Sequence, residues 1–253
     1  DNETVITSKH SKFLSPRQPF IFHTHTHSRE NHLLYPRNLT TECYELTQTR
    51  HDFEADFAAI SKAVHPWLML WLYCRDKNQG WLEDEISDLP QKIAWSILKD
   101  IARKAHTDAE LQGTLADWRE KFFGAIAAGV KENVEATYEF FEANGHGNLK
   151  EEITAFSQIC TVSAEESLFF IQGHIAFDAM IEPYFDKVVR FLTLEQELAE
   201  NSHDRKKHWR NVANKPLRDI LSRSYRLCLI PPRSCQFLEN VKADIVGDFK
   251  LHD

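Results

Sequence analysis

Residues 114–143 read TLADWREKFFGAIAAGVKENVEATYEFFEA, and this stretch decides the fold. Leu115, Trp118, Phe122, Ile126, Val130, Val134, Thr137 and Phe141 recur at steps of three and four. On a 3.6-residue period they form one apolar stripe along a helix of about eight turns. Gly145 and Gly147 follow, residues that end helices through left-handed backbone. A long helix with one apolar stripe needs neighbouring helices to cover it, so the stretch predicts a bundle.

The same reading extends in both directions. Downstream, Leu149 to Cys160 predicts a short helix and Ala164 to Glu200 a second long one. Ser163 with Glu166, and Thr107 with Glu110, have the spacing of capping boxes. Upstream, Asp88 followed by Pro90 opens a helix through Ile93, Ile97, Ile101 and Ala105. Asp52 is placed to cap FEADFAAISKAV, residues 53–64, and Pro66 then breaks or kinks the helix. WLMLWLYC, residues 67–74, is apolar on all sides and predicts a central helix buried by its neighbours. It is far too short to span a bilayer.

Residues 1–50 have a different character. Pro16, Pro19 and Pro36 interrupt any long helix. PFIFHTHTH at 19–27 and TTECYELTQT at 40–49 are rich in β-branched and aromatic residues with partial alternation, which reads as strand or extended chain. The chain is therefore expected to be mainly α: a multi-helix bundle over 51–253 behind a small N-terminal extended/β module over 1–50.

Composition agrees. The 253 residues are 42% hydrophobic and 27% charged, enough to bury a core without disulfides, and only 8 Gly and 9 Pro serve turns. Five cysteines, an odd number with no CxxC spacing, argue against a disulfide framework and for a reducing, cytoplasmic setting. No signal peptide is visible in the sequence. The formal charge of −8 argues against a nucleic-acid coat protein. It is unevenly spread, since 203–226 holds eight Lys or Arg against two Asp.

Five features carry candidate chemistry. His23, His25 and His27 alternate, so on a strand their imidazoles would share a face and could ligate a metal; solvated histidines at the end of a segment are the plainer reading. His51-Asp52 has the HD pairing of some metal phosphohydrolases, although a helix cap explains Asp52 without a metal. His174, Asp178, Glu182 and Asp186 follow at four-residue steps. With about 40° of drift per step, His174 and Asp178 fall within the apolar arc, with Glu182 at its edge. A buried His–Asp pair beside Pro183 is either a metal or catalytic site, with Glu135 or Glu139 as further ligands, or a hydrogen bond inside the bundle. Arg205, Lys206, Lys207, Arg210 and Arg218 would bind an acidic partner or simply form a solvated face. Gly124 and Gly129, among Ala125, Ala127 and Ala128, allow another backbone or a ligand to approach closely.

The order Leu34-Tyr35-Pro36-Arg37, Trp71-Leu72-Tyr73, Leu82-Glu83-Asp84-Glu85 before Leu89-Pro90, then Gly124-Ala125 to Gly129, resembles the small partner subunit of methanobactin biosynthesis, MbnC, over about residues 33–140. The resemblance implies a non-catalytic or co-catalytic partner of a larger iron-dependent enzyme. Such a pair converts cysteines of a ribosomal precursor peptide into oxazolone and thioamide groups, with the iron held mainly by the larger subunit. Membrane and nucleic-acid partners are not expected. The two alternatives from the residues themselves are a stand-alone helical metalloenzyme using His174 and Asp178, and a regulator acting through 203–226.

Overall fold

A computed structural model describes residues 36–77, 93–108, 114–160, 162–200 and 217. In chain order they form α1 (Pro36–Thr47), α2 (Phe53–Lys77), α3 (Trp95–Asp108), α4 (Leu115–Ala143), α5 (Leu149–Ile159), a 3-10 helix (Ala164–Phe170), a π-helix (Ile175–Ile181) and α6 (Glu182–Glu200). No strand occurs among the described residues, and the fold is mainly α.

The expectation for 40–49 is corrected: this stretch lies largely in α1, not in a strand. Leu39, Cys43 and Thr47 are buried at four-residue steps, a helical period that the partial alternation obscured. Pro36 begins the helix, where its missing N–H would have no intrahelical partner anyway. The β-branched threonines are accommodated by bonding backward: Thr40, Thr41 and Thr47 each donate to the carbonyl four residues earlier. Leu39 and Cys43 join the common core, so the bundle takes in α1. The 19–27 segment lies outside the described residues.

The centre is as the pattern requires. Every residue from Trp67 to Cys74 is buried. Pro66 stands inside α2 without ending it. Pro66 and Lys62 are both exposed, so the carbonyl that loses its donor is on the solvent side, where water can serve it. α4 buries Trp118, Phe122, Ile126, Val130, Val134, Thr137 and Phe141, the predicted stripe. It starts in a capping box between Thr114 and Asp117. It ends in a Schellman arrangement: the N–H of Gly145 bonds to Glu142 O, and that of His146 to Phe141 O. Gly145, at φ 88°, supplies the left-handed residue.

The stretch 164–200, expected as one long helix, comes in three pieces. The physical cause of the last break is Pro183, which stands in the first turn of α6. Proline has no N–H for the carbonyl of Ala179 and its ring crowds that carbonyl, and the wider π turn relieves the conflict.

Candidate functional site

The expected buried pair is absent from its place. His174 and Asp178 are exposed, as are Asp186, Glu135 and Glu139, while Glu182 is half-buried. The 40° drift per step belongs to α geometry, whereas 175–181 winds as a π-helix. The π turn rotates less per residue than an α turn, so the α drift does not apply, and His174 and Asp178 both face solvent. Ile175, Ala176, Phe177, Ala179, Met180 and Ile181 face the core instead. Glu135 sits 3.9 Å from Lys150 as a surface ion pair. Among the described residues no three His, Cys, Asp or Glu stand close enough to hold a metal. An iron centre therefore does not fit the described part of this chain. His23, His25 and His27 lie outside the described residues, as do Arg205, Lys206, Lys207, Arg210 and Arg218.

Asp52 is the cap the sequence suggested: its carboxylate accepts from the N–H groups of Glu54 and Ala55. Its neighbour His51 belongs to a cluster that the sequence did not disclose. His51 Nε2 donates to Asp56 at 2.5 Å, and Arg119 of α4 pairs with the other carboxylate oxygen. The Asp56 side chain is only 1% exposed. Tyr184 of α6 lies against both charges; burial first, then the Asp56 carboxylate, raises its phenol pKa far above the ordinary range. Asp56 thus ties the start of α2 to α4 and α6, with its charge matched. A signal was present: Asp56 falls on the buried face of α2 between Phe53 and Ile60.

Two further histidines bridge elements. His65 Nδ1 meets Ser167 Oγ at 2.8 Å. Ser167 is fully buried, and its Oγ also lies 3.3 Å from the Ser163 carbonyl. His106, near the end of α3, stacks on Phe122 at 4.5 Å and donates from Nε2 to Met180 O of the π-helix at 3.2 Å. Burial lowers its pKa to about 4, with the Lys187 charge adding to burial and the bond to Met180 opposing it. Lys187 Nζ in turn donates to His106 O at 2.7 Å, capping a C-terminal carbonyl of α3. The buried thiols of Cys43 and Cys74 are pushed up to about 11 and about 12, which keeps them as inert thiols at neutral pH.

A groove of about 540 Å³ lies between α3 and α4. Ile97 and Ile101 face Ala125, Ala128 and Gly129 across it, and Asp100, Lys104 and Glu132 stand at its edges. Gly129 is the contact point: a Cβ there would lie 2.9 Å from Ile101 Cγ2. Gly124 meets nothing within 4 Å, so of the two glycines only Gly129 serves close packing. No known protein family, characterised protein or solved structure matches the chain. No helix among the described residues is long and apolar enough to cross a membrane.

Proposed function

We propose that this chain is a binding and scaffolding subunit of a metal-dependent, peptide-modifying enzyme complex. It contributes surface for a precursor peptide while a larger partner holds the iron. The groove between α3 and α4 carries this reading. Its small side chains let a second backbone approach, its isoleucines offer apolar contact, and its charged edges fix direction and register. The reaction class, oxazolone and thioamide formation on peptide cysteines as in methanobactin-type products, comes from the sequence resemblance. The surface positions of His174 and Asp178 do not favour the stand-alone metalloenzyme.

The test is co-purification and native mass of the chain with a candidate iron enzyme and its cysteine-containing peptide. A complex is expected. Ala128→Trp, which fills the groove from an exposed position, is expected to weaken peptide binding by roughly tenfold or more without lowering stability. A chain that binds neither enzyme nor peptide overturns the proposal.

A further inference from the structure

We propose that the α3–α4 groove takes its peptide as a helix of about three turns, with a basic side chain set between Asp100 and Glu132 and an acidic one, a turn away, at Lys104. The inference rests on the reading of the groove as a peptide site and names the peptide's conformation and charge pattern.

The walls decide the conformation. Both are α-helices, whose interior backbone groups are already paired along the helix. Ile97, Ile101 and Ala105 of α3 and Ala125 and Gly129 of α4 offer no polar side-chain atom, and Asn133 adds one amide at one end. An extended peptide laid there gives up water at its N–H and C=O groups and finds no backbone partner. A helical peptide brings those groups already bonded. The lining has the matching form. Ile97, Ile101 and Ala105 stand in one four-residue row and Ala125, Gly129 and Asn133 in another, so the ridge of a third helix fits between them. From Ala125 to Ala136 the groove runs about 16 Å, three turns of such a helix.

The rim decides the charge pattern. His106 stacks on Phe122 and Ile101 meets Gly129, so α3 and α4 run antiparallel in a fixed register. In that register Asp100 and Glu132 stand at nearly the same level on opposite walls, and Lys104 lies one turn nearer the His106 end. All three are exposed. Asp100 meets Arg103 of its own helix at 3.8 Å, a pair screened by solvent. Glu132 and Lys104 have no ion-pair partner among the described residues. Two carboxylates facing across a groove favour a cation between them, and Lys104 favours an anion. In a helical peptide two such positions are three or four residues apart.

The experiment titrates the full chain into labelled synthetic peptides of about 14 residues, read by anisotropy and circular dichroism. The parent peptides form helices, with alanines in one four-residue row and Lys and Glu one turn apart, in either order. One variant carries Pro at the centre, and another Glu in place of the Lys. One parent order is expected to bind and to gain helix on binding. The central Pro is expected to weaken that binding by roughly tenfold or more. Glu132→Lys, at an exposed position, is expected to weaken the parent by roughly threefold or more and to reverse the preference toward the Glu variant. Failure of both parent orders to bind, equal binding of the Pro peptide, or an unreversed preference overturns the proposal. So does a dimer in native mass that Ala128→Trp splits, since a second copy then fills the groove. Precursor-peptide binding that Ala128→Trp abolishes, while the helical peptides fail, overturns the helical reading and leaves the proposed function standing. Binding of a helical peptide with no enzyme complex counts against the proposed function alone.

Discussion

Asp56 is a carboxylate removed from water, and the groups around it decide what that costs. Arg119 is the only guanidinium paired with it among the described residues. Arg119→Ala leaves the carboxylate with His51 and Tyr184. The expected loss is about 2–4 kcal/mol in denaturant unfolding, between a hydrogen bond to a charge and a stranded buried ion. Arg119→Met/Asp56→Leu should recover much of that loss, since replacing both charges removes the desolvation cost. The cluster was half legible. Asp56 sits at a core position of its helix, which flags a buried carboxylate needing a partner. Nothing in a linear sequence says that the partner is 63 residues away on α4. The expected His174–Asp178 pair failed for the opposite reason: the residues were read correctly, but the helix type that aims them was not.

At the scale of elements, the two glycines of α4 make a matched test. Gly124 is exposed with open space around its missing Cβ. Gly124→Ala is expected to stabilise the chain by about 0.5–1 kcal/mol through helix propensity and reduced freedom of the unfolded chain. Gly129→Ala gains the same propensity but forces Ile101 or the whole of α3 outward. A net loss of about 1 kcal/mol is expected, as overpacking typically costs about 1–3 kcal/mol. Ile101→Ala in the Gly129→Ala background should relieve that overpacking, seen as non-additivity in a thermal or denaturant double-mutant cycle. The sequence shows both glycines as equivalent small residues. Only the neighbour differs, and the neighbour is tertiary. α1 teaches a related lesson, because its threonines disfavour a helix locally while the buried row of Leu39, Cys43 and Thr47 favours one, and burial prevails.

For the whole molecule, His106 links stability to pH. Its pKa is about 4 in the fold and near 6.5 when unfolded. Between these values the unfolded chain binds the proton and the folded chain does not, so stability rises with pH across that window. The contribution is complete above about pH 6.5 and is lost as pH falls through the unfolded value toward pH 4, amounting to about 3 kcal/mol at most. His65, also lowered by burial, acts in the same direction. Denaturant unfolding from pH 7 to pH 4 should show this slope, and His106→Gln should flatten it.

The sequence by itself determined the helical class, the central burial of 67–74, the face of α4 that enters the core, and the residues at which α4 ends. These follow from period, hydrophobicity and local backbone preference, which act within one or two turns. Tertiary structure decided the rest: that α1 is a helix, that His51, Asp56, Arg119 and Tyr184 converge, and that His106 meets Met180. Each depends on groups far apart in sequence satisfying one another's polar or steric needs, and a pattern read along one chain does not encode that partnership.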